Sequence, residues 1–286
     1  MNKNKCSFIV LFFLVLSNYL MAQETRMTMN PNSVYPVSEE HKLYKMQVWR
    51  RIDLQEKQNQ PFFSSSNEIS KIILDAVQDG RLVPYENDSL NRRMTKEAFL
   101  DKIKIQTGEE EGSFGGTTDA GWGTGTDAGW GTATTTEGTP ATPAAVADQY
   151  MFPNQLYLME MKEEVYFDII RSRMYNDIMS LTIFIPADQS ATAVDVPIGT
   201  FAYKDLEKLF RSMPDEAIWY NRQNIGQNRN MADAFLLRLF ASRVTKIANP
   251  RNETIEDTYG DPSLALYMSQ TLEYKMMEYE HDLWEY

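Results

Sequence analysis

Apolar positions recur along this chain at helical spacing in some stretches and at alternate positions in others, and the two periods divide it into elements. Ile69, Ile72, Ile73, Ala76 and Val77 form a stripe that predicts a helix capped by Asn67. Gly80 sits where such a helix wants a left-handed closing residue. The run RLVPY, Arg81 to Tyr85, reads as a short strand, and Thr95 opens a second helix that turns Ala98, Phe99 and Ile103 inward. The stretch after Ser38 has two readings. Leu43, Tyr44, Val48 and Ile52 suit a helix, whereas Met46, Val48, Ile52 and Leu54 fall on alternate positions. Glu39 and Glu40 would stabilise a first helical turn, so helix is the preferred reading, ended by Pro61.

Past residue 150 the pattern resumes. Gln155 to Met161, QLYLMEM, alternates as a strand, and a strand pair is expected within Glu164 to Ile185, stopped by Pro186. FAYKDLEKLFRSM is an amphipathic helix that buries Leu206, Leu209 and Phe210 and ends before Pro214. From about Asn230, the stripe Ala234, Leu237, Phe240, Ala241 and Val244 predicts another, closed by Asn249-Pro250. After Pro262 a last helix places Leu264, Met268, Leu272, Met276, Tyr279 and Leu283 on one face, with its acids mostly elsewhere. These elements imply an α+β fold with helices packed on a small, mostly antiparallel sheet.

Residues 106–149 break both periods with Gly, Thr, Ala and Pro, and repeat TDAGWGT from Thr118 and from Thr126. Such a composition cannot offset its own ordering entropy, so a long disordered Gly/Thr-rich insertion is expected. Trp122 and Trp130 are separated by an even number of residues and would point the same way from an extended chain. They read either as paired anchors on a partner or glycan or, preferred, as part of a duplicated spacer unit. Divided by these features, the chain has a segment 1–22, an N-terminal arm and helix (23–60), an N-terminal α/β part (61–105), the insertion (106–149) and a C-terminal α+β part (150–286).

Residues 1–22 carry Asn2, Lys3 and Lys5 ahead of an apolar run, Ser7 to Leu20, too short for a membrane span and followed by Ala22. This is the pattern of a secretory signal cleaved after Ala22. The single cysteine, Cys6, lies inside it, so the exported chain has neither a disulfide nor a Cys metal site. A formal net charge of −12 makes nucleic acid and anionic lipid poor partners.

Catalytic constellations are tested by scarcity. His41 and His281 stand at opposite ends, and there is no HExxH spacing and no phosphate-binding GxxxxGK[ST]. Forty acidic residues make any carboxylate pair uninformative; Asp168, inside an apolar strand, is expected to pair with Arg171 or Arg173. No catalytic, cofactor or metal residue is assigned, and the chain is read as not an enzyme. Candidate partner-binding residues are Trp49 with Arg50 and Arg51, either an interface hot spot or a plain stacked surface pair, then Trp122 and Trp130, and Leu283 and Trp284 in the acidic terminus.

Three stretches, Tyr44 to Phe63 (YKMQVWRRIDLQEKQNQPFF), EVYFDIIRSRM and the terminal EHDLWEY, together resemble the GldN/PorN family of the gliding-motility and type IX secretion apparatus. The resemblance implies a non-enzymatic periplasmic structural subunit without cofactors. It would assemble with an outer-membrane lipoprotein of GldK/PorK type, with further copies of itself and with other secretion-system subunits, in a ring complex required for protein secretion. The insertion matches nothing in the family pattern. An alternative from the residues alone is a periplasmic carbohydrate-binding or carbohydrate-active protein whose Trp pair stacks on sugar rings.

Overall fold

The stretch after Ser38 is a strand. In the computed structural model, which describes residues 29–65, 67–104, 150–190 and 192–283, a single 3-10 turn at Glu39–His41 leads into β1, Lys42–Asp53. The expected helix there is therefore corrected, and the reason is two-sided burial. Val48 and Ile52 are buried on one face while Trp49 is buried on the other, which a one-sided helical stripe cannot provide. Leu43, needed for the helical stripe, is exposed. Residues 1–22, expected to be a secretory signal, the expected insertion with Trp122 and Trp130, and Trp284 lie outside the described residues.

β1 pairs with β2, Leu158–Asp168, and at its other edge with β5, Arg243–Ile247. A tight turn joins β2 to β3, Arg173–Ile185, which pairs with β4, Val196–Ala202. The result is a five-stranded antiparallel sheet in the order β4-β3-β2-β1-β5. Strands from before and after the insertion thus share one sheet. The expected strand at Gln155 to Met161 and the first strand of the expected pair are one continuous strand, β2.

The helices are α1, Ile69–Gln78; α2, Lys96–Ile103; α3, Tyr203–Ser212; α4, Met231–Leu236; α5, Ile255–Tyr259; and α6, Pro262–Asp282. α1 buries the anticipated stripe and Gly80 is left-handed (φ 73), although Glu68 rather than Asn67 is its capping position. The Thr95 hydroxyl accepts from the Ala98 N–H at 3.3 Å and starts α2, which buries Phe99 and Ile103 but leaves Ala98 exposed. RLVPY is not a strand: only Tyr85 bridges, to Arg93 and Thr200. The helix expected through Val244 ends at Leu236. There Arg238 turns left-handed (φ 53) and the Leu239 N–H returns to the Ala234 carbonyl at 2.9 Å, freeing the chain to enter β5.

One face of the sheet carries two apolar clusters. The larger joins Ile52, Met159, Met161, Leu181 and Phe201 to α1 through α4, with Phe62, Phe99 and Phe210 fully buried. Each such ring adds about 2–3 kcal/mol of burial. Gly199 in β4 admits Phe99 so closely that a Cβ would stand 2.9 Å from the ring. The smaller cluster, Val48, Val165, Val244 and Ile255, is covered by Ala265, Met268, Leu272 and Met276 of α6. Ser269, buried in the same helix, donates to the Val244 carbonyl at 2.8 Å and so helps close the β5 edge. Leu264 and Tyr279, expected in the buried stripe, are exposed.

Candidate functional site

Between the two clusters lies a layer of charge. Alternation places Arg50 between Val48 and Ile52 on β1, and Glu163 between Met161 and Val165 on β2, all on the helix-covered face. Glu163 is fully buried. The Arg50 Nε donates to its Oε1, and Arg238 Nη1 reaches its Oε2 at 2.7 Å. Arg50 Nη1 also donates to Glu273 Oε1 of α6 at 2.6 Å, and the Arg238 guanidinium lies 5.4 Å from the Phe240 ring. Burial by itself would lower the Arg50 pKa, but the charge of Glu163, with Glu273 behind it, outweighs burial and holds it above the ordinary value. One carboxylate thus bridges two guanidiniums, and a second balances the remaining charge and ties the terminal helix to the sheet.

The opposite face is also polar and partly covered. Trp49 stands between its cross-strand neighbours Lys162 and Lys246, whose ammonium groups lie 4.9 and 4.1 Å from its ring. Its indole N–H donates to Asp88 at 2.9 Å, and Lys162 reaches the same oxygen at 3.2 Å. Burial opposes ionisation of Asp88, yet Lys162 and the indole hold its carboxyl below the usual range. Farther along, Lys42 bonds Glu164 at 2.6 Å and Glu39 at 2.7 Å, and Lys45 bridges the same two acids. Asp177, opposite Glu164 on β3, is pushed up to about 6 by burial and by the Glu164 charge, against the pull of Lys42.

At the β2–β3 turn, buried Asp168 accepts from the Ile170 N–H at 2.9 Å and from Arg171 Nη1 at 2.7 Å, so it is paired with Arg171 as the sequence suggested. An open groove of about 730 Å³ runs past Arg51, Tyr157, Asp188, Asp195, Arg243 and Glu273. Arg51 pairs there with Asp195 at 2.9 Å and the Tyr157 hydroxyl donates to Asp188 at 2.8 Å. Neither histidine lines this groove. Among the exposed large apolar side chains are Leu266, Tyr267, Tyr274 and Met277 on α6, and Ile169 and Ile170 at the β2–β3 turn.

A family model for the gliding motility associated protein GldN matches residues 37–285. The chain belongs to the GldN family. The matched span contains every strand and helix of the sheet and its covering layer, the Arg50–Glu163–Glu273 link included. Membership associates this GldN-family chain with gliding motility and type IX secretion, as a component beside other secretion-system subunits. A search of curated proteins found no match. Among the described residues no helix is long and apolar enough to cross a membrane.

The GldN-family chain uses its sequence-predicted residues unevenly. Trp49 is 7 % exposed and sandwiched, and Arg50 is committed to Glu163 and Glu273, so both act inside the sheet rather than as an open pair. Arg51 points the other way, to Asp195, and is not brought together with Arg50. Leu283 is half-buried at the end of α6. Sequence reasoning missed Glu163, Arg238 and Glu273. The available signal was a pair of acids, Glu163 and Glu164, in the strand-like run MKEEVYF between apolar Met161 and Val165, where an unpaired charge would be expensive.

Proposed function

We propose that this chain is a non-enzymatic structural subunit of the type IX secretion and gliding apparatus, working in the periplasm. It joins an outer-membrane lipoprotein of GldK/PorK type and further copies of itself in a ring complex needed for secretion. The observation that carries this reading is the division of labour among side chains. Buried ionisable groups pair with one another across elements, while α6 and the β2–β3 turn are among the places where large apolar side chains stay exposed. Such a distribution suits a part held by neighbours, whose binding energy comes from aromatic and aliphatic anchors and repeated contacts.

In this reading Leu283 and Trp284 lie at the lipoprotein contact, and Trp122 and Trp130 ride on a spacer. Deleting residues 280–286 removes no residue of the Arg50–Glu163–Glu273 link, so the fold persists while the lipoprotein is lost on co-purification from cell envelopes. Wild-type recovery of the lipoprotein with the truncated chain would overturn that placement. Replacing Trp122 and Trp130 with Ala leaves assembly unchanged if they are spacer residues, and lowers recovery if they are anchors.

A further inference from the structure

We infer that a second copy of this chain docks its β2–β3 turn on the outward face of α6. The inference rests on the ring reading above and names the surfaces through which copies would meet. On α6, Tyr267, Tyr274 and Glu278 follow one another at spacings that return to the same side of a helix, with Leu266 and Met277 beside them. This side is roughly opposite the one that packs on the sheet. Tyr267 is 64 % exposed, Tyr274 67 % and Met277 56 %. The outward side therefore leaves two tyrosines with Leu266 and Met277 beside them uncovered among polar residues such as Gln270, Thr271 and Glu278, the mixture of aromatic anchors and polar rim that interfaces bury.

Charge narrows the occupant. Glu278 and Asp282 are exposed along this stripe, with Lys275 the cation beside them. Pairing α6 in parallel with α6 of another copy would set these acids near one another, an antiparallel pair would set them against residues 262–274, which hold no cation, and an anionic membrane would be repelled. The fitting ligand is a compact apolar group flanked by cations. The β2–β3 turn of this chain has that composition: Ile169 and Ile170, 49 % and 66 % exposed, followed by Arg171 and Arg173, both solvent-facing. It is also pre-organised. Asp168 accepts from the Ile170 N–H and from Arg171, and the Ile169 N–H donates to the His41 carbonyl at 2.9 Å, so little ordering is needed on docking.

One chain thus carries both halves of a contact, on two different surfaces. A contact between unlike surfaces is head-to-tail: each copy gives its turn to one neighbour and receives a turn from the other, which closes into a ring when the rotation permits.

Sedimentation of the purified chain lacking residues 1–22, over a range of concentrations and at low and high salt, tests this. The wild type gains mass with concentration, less so at high salt. Ile170→Ser, Arg173→Glu and the pair Tyr274→Ser with Met277→Ser each weaken association about tenfold or more with an unchanged thermal midpoint. Arg173→Glu is chosen over a change at Arg171 because Arg171 also holds Asp168. Glu278→Arg weakens association alone and recovers part of it when mixed with, or combined with, Arg173→Glu. A wild type that stays monomeric, or variants that associate as the wild type does, overturns the inference. So does an α6 variant that loses only the lipoprotein on co-purification, which would assign the face to that partner and leave the proposed function standing.

Discussion

Glu163 is the side chain whose loss is most diagnostic of how the chain is held together. Replacing it with Gln keeps volume and removes the one charge that both Arg50 and Arg238 face. Deleting one partner of a fully buried ion pair costs about 3–5 kcal/mol, because the other charge is left uncompensated. Two features soften that here: Arg50 retains Glu273, and the Arg238 side chain is 30 % exposed and can draw on water. The expected loss is about 2–4 kcal/mol, and at ~2–4 °C per kcal/mol for a chain of this size the thermal midpoint falls by roughly 4–16 °C. Urea unfolding followed by circular dichroism reads the loss directly. A companion variant sharpens it. Arg50→Met, Glu163→Leu and Arg238→Met together replace the charges with apolar groups and are expected to fold with stability within about 1 kcal/mol of wild type or above it. A Glu163→Gln protein within about 0.5 kcal/mol of wild type would refute the claim that this layer bears on the sheet and α6.

Asp177→Asn should stabilise the chain near pH 7.5 by about 1–2 kcal/mol and converge with wild type near pH 4. Asp177 binds its proton more tightly folded than unfolded, so its contribution is fully present below the unfolded value and is lost as pH rises through about 6; urea titrations at the two pH values check it, and equal gaps at both would contradict it. Gly199→Ala presses a methyl against the Phe99 ring at 2.9 Å and should cost about 1–3 kcal/mol in the same assay, relieved in part by Phe99→Leu.

Where local chemistry decides an element, the sequence shows it. The Ile69-to-Val77 stripe closed by Gly80, the Thr95 cap and the Leu206, Leu209, Phe210 helix each need only neighbours within a few residues, and they appear where their period places them. β1 was misread because its deciding information is remote. A strand with Trp49, Arg50 and Arg51 in a row looks one-sided until Glu163, 113 residues away, and Glu273, 223 residues away, supply the countercharges. The Ala234-to-Val244 stripe misled for a different reason: the left-handed backbone at Arg238 falls on a residue with no special preference for it, so the break between α4 and β5 has no compositional mark.

The same distinction governs the candidate site. Trp49 and Arg50 stand out in sequence as exposed-looking contact residues, yet the sheet consumes both. α6 was read for its single best stripe, which concealed the uncovered side that carries Tyr267, Tyr274 and Met277. Unpartnered surface is a property of the finished packing, and no window of residues reveals which face the neighbours will leave open.

The most direct test of the central claim is the mass and composition of the particle that contains this chain after gentle detergent extraction of cell envelopes. A multi-copy assembly in which the chain and the outer-membrane lipoprotein are recovered in fixed proportion is the result expected. A particle with the mass of one chain, free of any envelope component, would contradict it.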